Sequence, residues 1–314
     1  MDMRQLRYFV QIVESGSLAK ASRQLFIAQP ALSQQMARLE DEVGKALLVR
    51  SSRGVVPTEN GEALYHHAKF MLRQLDQAVS VARQDTAALS GRVTLGLAPT
   101  TVCALGLPLM QHLRRVHPGV LLNVVEGLSG HLEHMTRVGQ LDLAVLFETD
   151  AARRWSVTPL LEETLYLIRS RQGLPPNAAA TVSMAELGAL PLILPTGPHG
   201  LRSTLDAAFA RAGLRPVLAA EIDSLALLMD AVDAGLGATL QPWAAVGRFA
   251  DAAQRFHLAA LDDPLARRPN VLCSLSDDEL SPAALAARVV LADCARARVN
   301  AGQWMGATLS HHDS

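Results

Sequence analysis

From Met3 to Thr58 apolar residues recur in short helical runs separated by tight punctuation. In MRQLRYFVQIVESG, Leu6, Phe9, Val10 and Val13 share one helical face and Gly16 closes the segment. Ser17 is placed to cap a second helix, SLAKASRQLF, with Leu18, Ala21 and Leu25 turned inward. A third helix opens with Pro30 in its first turn and ends at Gly44. Its buried stripe is expected to be Leu32, Met36, Leu39 and Val43, with Gln29, Ser33, Gln34 and Ala37 on the other face. ALLVRSSRGVVPT then reads as two short β arms around Ser-Ser-Arg-Gly, a small wing.

Thr58 begins the longest uninterrupted helical pattern, running to about Leu89. Leu64, Ala68, Met71, Leu75, Ala78 and Ala82 step by alternating four and three, the heptad rhythm of a helix that pairs with another helix, so a dimer is expected. After Ser90-Gly91 the texture changes to strands alternating with helices. The strand candidates are VTLGLA, VLLNVVE, LDLAVLF, TLYLIRS, PLILPT, VLAAEID, GATLQP, RFHLAAL and NVLCSLS. Ser183 with Glu186, Ser224, and Ser281-Pro282 mark helix starts between and after them. Such alternation predicts a doubly wound α/β architecture large enough for two lobes. The division expected is a winged domain over 1–58, a linker helix over 59–89 and an α/β domain over 93–300. Lobe I takes 93–162 and 267–300, lobe II takes 163–266, and 301–314 is expected to be a disordered tail.

Composition narrows the class. With 49% hydrophobic and 19% charged residues among 314, the chain is globular in character rather than disordered. The apolar stretch from Leu6 to Val13 is interrupted by Arg7 and Gln11, so no secretory signal is read there. Later apolar runs are also broken, the one near Ala284–Ala295 by Arg288 and Asp293, and a soluble cytoplasmic protein is expected. Cys103, Cys273 and Cys294 lie far apart with no zinc spacing and read as reduced core thiols. The formal net charge of −1 argues against bulk electrostatic attraction to nucleic acid. Its distribution differs: up to Thr58, Arg4, Arg7, Lys20, Arg23, Arg38, Lys45, Arg50 and Arg53 outnumber Asp2, Glu14, Glu40, Asp41 and Glu42.

The segment GSLAKASRQLFIAQPALSQQMARLEDEVGKALLVRSSRGVVPTENGEAL closely resembles the DNA-binding segment of LysR-type transcriptional regulators. QPALSQQ matches the opening of the family's recognition helix, LE-x-E-x-G its end, and T-E-x-G the start of the linker helix. IAQPALSQQ and RGV-x-PT look most like the nitrogen-assimilation-control branch. The match is close over roughly the first ninety residues and architectural beyond them. The resemblance implies an N-terminal winged helix-turn-helix, a linker helix and a two-lobed effector domain resembling periplasmic binding proteins. It also implies a homodimer or homotetramer on double-stranded promoter DNA that works with RNA polymerase, without membrane association. Gln29, Ser33 and Gln34 suit base edges, Pro30 pre-sets the helix start, and Arg50 and Arg53 suit the backbone or minor groove. One departure is Ala28, where many family members place a capping serine.

In the α/β region, Thr100 and Thr101 follow one strand and Ser129-Gly130 follows another, where hydroxyls and backbone N–H groups can meet an anion. With those strand ends, the resemblance nominates Thr100, Thr101, Ser129, Phe147, Thr196, Gly197, His199, Asp223 and Gln241 for a small, anionic effector. Helix capping alone would equally explain the hydroxyls. His131 and His134 lack a third ligand, and GLSGH misses the nucleophile-elbow pattern, so neither a metal, a cofactor nor an enzyme is expected. The alternatives left open are a cytoplasmic small-molecule-binding protein and an α/β enzyme without DNA binding.

Overall fold

The computed structural model describes residues 1–310 except 52–53, 84–88, 148–154, 176, 198–199, 276 and 278. It divides into two compact units, Met1–Asp85 with Arg137–Gln140, and Thr86–Thr136 with Leu141–Ser314.

The first unit contains α1 (Met3–Ser15), α2 (Leu18–Leu25), α3 (Gln29–Val43), a hairpin of β1 (Leu48–Ser51) and β2 (Gly54–Pro57), and α4 (Glu59–Arg83). Asp2 and Gln5 form a reciprocal capping box on α1, and Ser17 accepts from the Lys20 N–H on α2. Phe9, Ile12, Ala21, Leu32, Met36 and Leu39 bury together with Leu47 and Val55 of the wing. Each large side chain so covered contributes about 1.5–3 kcal/mol. The buried stripe of α3 stops at Leu39, and Val43, expected as its fourth member, is exposed. Glu40 explains the acidic residue in the helix-ending motif: its Oε1 accepts from the Leu47 and Leu48 N–H groups at 2.8 and 3.1 Å, fastening α3 to the wing. Gly61 explains the glycine opening the linker helix. A Cβ there would lie 1.9 Å from the Leu47 carbonyl oxygen, so only glycine lets α4 pass that close. Thr58 Oγ1 caps α4 by accepting from the Gly61 N–H at 3.0 Å.

The second unit opens with β3 (Ser90–Leu97), α5 (Pro99–Thr101), a π-turn over Val102–Gly106, α6 (Leu107–Val116), β4 (Gly119–Glu126), α7 (Ser129–Arg137) and β5 (Leu143–Phe147). It continues through β6 (Ser156–Ser170), β7 (Thr181–Val182), α8 (Met184–Leu187), β8 (Pro191–Leu194), α9 (Gly200–Arg211), β9 (Val217–Glu221), α10 (Leu225–Asp233) and β10 (Thr239–Pro242). The last elements are α11 (Ala252–Arg255), β11 (Phe256–Leu261), β12 (Arg267–Ser274), α12 (Pro282–Asn300) and β13 (Ala307–Leu309). β4, β3 and β5 are parallel neighbours, as strands joined by helical crossovers must be, and β12 returns antiparallel beside β5. β6 serves both lobes: its first half pairs with β12, its second half with β10 and β11.

Lobe I is built around Leu95, Leu97, Leu105, Val145 and Leu291, and lobe II around Leu167, Leu192, Leu205, Phe209 and Leu240. The expectation of a disordered tail from 301 is corrected as far as 310. Trp304 is buried in the lobe I core, and β13 pairs with β6 through Leu309–Leu161. One aromatic side chain and a three-residue strand hold the chain there without any periodic pattern. Residues 311–314 lie outside the described residues.

Candidate functional site

The polar face of α3 is laid out by its buried one. With Leu32, Met36 and Leu39 inward, Gln29, Pro30 and Gln34 stand exposed and Ser33 is half-buried. The N-cap residue Ala28 makes no side-chain cap, leaving the first-turn N–H groups without a hydroxyl of their own. Arg50 of the wing donates from Nη1 to Ser33 Oγ at 2.9 Å, so wing and helix form one polar surface. Arg53 lies outside the described residues. The turn before α3 is tight: Phe26 adopts φ 56, the positive-φ non-glycine among the described residues, and its ring is exposed.

The linker helix divides its stripe. Leu64 packs on the winged core and Ala68 is fully buried, so these two already have cover within the chain. Met71 and Leu75 are half-buried, Ala78 is exposed, and the Ala82 side chain lies outside the described residues.

In the second unit, the cleft between the lobes holds a cavity of about 40 Å³. Ala98, Pro99, Leu128, Pro195, Ile222 and Leu225 supply apolar wall, with Leu201, Leu228 and Phe147 beside them. Thr100, Ser129, Gln241 and Arg268 supply its polar groups. Four nominated residues, Thr100, Ser129, Phe147 and Gln241, therefore line one space. Thr101 does not: it is fully buried and its Oγ1 has no partner among the described residues. Thr196 and Asp223 are also away from the wall, occupied with each other, since Asp223 accepts from the Thr196 N–H and Oγ1 at 2.9 Å. Gly197 is likewise not in the lining, and His199 lies outside the described residues.

Arg268 is the residue that sequence reasoning missed. It is 2% exposed, and its guanidinium lies 4.2 Å from the Phe147 ring centroid. Its Nε donates to Glu163 Oε2 at 2.9 Å and its Nη2 to Thr100 Oγ1 at 2.8 Å, with a further Nη2 contact to Glu163. Glu163 is held by Asn270 Nδ2 and Trp304 Nε1 as well, both at 2.9 Å. A buried ion pair needs such extra donors, because desolvation otherwise outweighs its Coulombic gain. The positive group in the cleft is thus a side chain rather than a long helix terminus: α5 spans three residues before the π-turn interrupts it. Cys103 packs nearby on lobe II residues, and burial raises its thiol pKa, which keeps it protonated.

No group of three or more His, Cys, Asp or Glu among the described residues is arranged to hold a metal ion. Among them also, no helix is long and apolar enough to cross a membrane.

Residues 3–62 match the family described as bacterial regulatory helix-turn-helix protein, lysR family, and residues 86–295 match the LysR substrate binding domain. The chain is 38% identical over 292 residues to the nitrogen assimilation regulatory protein nac of Klebsiella aerogenes, covering 93% of this chain and 94% of the relative. It is 38% identical over 243 residues to the Escherichia coli protein of the same name, covering 77% and 78%. In fold it resembles a full-length OxyR variant from Pseudomonas aeruginosa, with TM-score 0.72, 24% identity and coverage of 94% and 98%. A full-length CbnR solved with its target DNA superposes with TM-score 0.67 at 22% identity, covering 94% and 100%.

Proposed function

This chain belongs to the LysR family of bacterial transcriptional regulators, and from that premise we propose how it reads DNA and where it senses its effector. It is a DNA-binding regulator with an effector-binding domain; the assignments of individual residues are our reading.

α3 enters the major groove, where Gln29, Ser33 and Gln34 meet base edges and Pro30 brings the first turn close. Arg50 and Arg53 hold the wing on the sugar-phosphate backbone. The observation that carries this reading is the opposition, on one helix, of buried Leu32, Met36 and Leu39 to exposed Gln29 and Gln34. With only a modest local excess of basic residues, affinity needs two copies, and the stretch of α4 with half-buried Met71 and Leu75 and exposed Ala78 supports a two-fold dimer. A tetramer made through the effector domains, acting in the cytoplasm on RNA polymerase at the promoter, completes the reading. It is a reading of binding, with no catalytic step assigned to the chain.

The effector site is the cavity between the lobes, and its ligand is small and anionic. A cavity with apolar walls and a few convergent polar groups at strand ends is the usual form of such a site. Ligand closing the lobes on each other passes that motion to the dimer arms. The test is anisotropy titration of a selected promoter fragment with and without candidate carboxylates. Sequence-specific binding lost in Gln34→Ala supports the DNA reading, and a carboxylate effect lost in Thr100→Val supports the cleft; specificity or ligand response unchanged in those variants refutes the respective half.

A further inference from the structure

The cleft carries polar capacity that the protein itself does not use. Arg268 spends Nε and Nη2 on Glu163 and Thr100, while its Nη1, with two N–H donors, has no hydrogen-bond partner among the described residues. Gln241 is 4% exposed, lines the same cavity, and its side-chain amide makes no hydrogen bond among the described residues. Neither group is among the fully buried unpaired atoms, so both are reached from the cavity and are free to bond a molecule held there. Two hydroxyls add to the same end. Thr100 Oγ1 and Ser129 Oγ already accept, from Arg268 and from the Gly200 N–H, so each has its own proton left to donate.

We propose, resting on the cleft being the effector site, that it binds a short hydroxy-monocarboxylate: Arg268 Nη1, Thr100 and Ser129 take the carboxylate, and Gln241 takes the hydroxyl. At the Arg268 end the cavity-lining groups, Arg268 Nη1 and the two hydroxyls, each have a proton to donate, which matches an ionised carboxylate, a group that only accepts. An amide in its place would turn an NH₂ toward those donors. Glu163 already pairs with Arg268, the cationic residue of the lining, so one carboxylate is held by donated hydrogen bonds, and a second, with apolar wall left to meet it, would be buried without them. Size is compatible: a cavity of about 40 Å³ has room for roughly three waters, which suits a short ligand. Gln241 both donates and accepts, and so satisfies a hydroxyl in either orientation.

The experiment is calorimetric titration of the full-length protein with lactate and 3-hydroxybutyrate, against butyrate, 3-hydroxybutyramide and malate. One hydroxy-monocarboxylate is expected to bind at one per chain, with the matched amide and malate weaker by at least about tenfold. Gln241→Leu, close in volume, is expected to remove the preference for 3-hydroxybutyrate over butyrate. Arg268→Met combined with Glu163→Gln avoids stranding a buried carboxylate, and is expected to remove the preference for acid over amide. No binding by either hydroxy acid, or equal binding of amide or malate, overturns the proposed class. If malate binds instead and Thr100→Val weakens it, the class falls while the cleft reading stands. If a ligand binds and neither Thr100→Val nor Gln241→Leu affects it, the cleft reading itself falls.

Discussion

The Gly200 N–H donates to Ser129 Oγ at 2.9 Å, so the first turn of α9 in lobe II is tied to the first turn of α7 in lobe I. A Cβ on Gly200 would sit 3.0 and 3.1 Å from Phe147 Cδ2 and Cβ and 3.3 Å from Ser129 Oγ. The lobes therefore close on a glycine, with the cavity immediately beside it.

Gly200→Ala is expected to destabilise the chain by about 1 kcal/mol in urea unfolding. Overpacking of about 1–3 kcal/mol outweighs a helix-propensity gain of up to about 1 kcal/mol. Ser129→Ala removes the bond without crowding, and should lower stability by only about 0.5–1.5 kcal/mol. A stabilised Gly200→Ala would show that Phe147 yields freely.

On DNA, Gln34→Ala is expected to lose about 1–3 kcal/mol of discrimination at one base pair. Arg53→Ala should instead weaken all sequences alike and reduce the salt slope by about one. Ser33→Ala releases Arg50 from its 2.9 Å hydrogen bond and should loosen the wing before it changes base preference. Anisotropy at several salt concentrations separates the three.

For the dimer, Met71→Glu is expected to give monomers by light scattering while the winged domain stays folded. Leu64→Glu places a charge against the winged core and should unfold that domain instead. Dimers persisting in a folded Met71→Glu protein would remove α4 as the interface.

Trp304→Phe leaves Glu163 Oε1 without the indole donor at 2.9 Å. An unpaired buried acceptor is unfavourable by about 1–3 kcal/mol, so thermal unfolding should shift down although the residue lies near the C-terminus. An unchanged melting temperature would mean that another donor replaces the indole.

Burial pushes the Cys273 thiol up from 9.0 to about 12. In the unfolded chain this thiol ionises near its ordinary value, whereas the folded state keeps its proton. The contribution to stability is therefore full below about pH 9 and is lost as pH rises toward about 12. Between these limits the wild type should lose stability more steeply with pH than Cys273→Ala, by up to about 1 kcal/mol per pH unit. Parallel slopes would contradict the burial effect.

Much of the fold was legible because local periodicity and caps report local structure. Leu32, Met36 and Leu39 at helical spacing placed the inner face of α3, and so its outer one. Ser183 with Glu186, Ser224 and Ser281 marked helix starts where the structure has them. The strand-rich runs became β3 to β6 and β8 to β12, while the two-residue β7 and the tail strand β13 left no pattern long enough to see.

The sequence by itself determined the winged reading head, the strand–helix alternation and the family, because each is written in spacing between near neighbours. Only the tertiary structure decided which polar side chains meet in the cleft. Arg267 and Arg268 are adjacent and alike in sequence, yet strand alternation sends Arg267 to Thr164 and buries Arg268 against Glu163 and Thr100, 105 and 168 residues away. Thr100 and Thr101 are likewise adjacent, and the rotation of about 100° between neighbours on a helix puts the first on the cavity wall and the second inside the protein. Pairings across such separations depend on the register of β12 against β6, which is fixed by the packing of whole lobes rather than by any local run of residues.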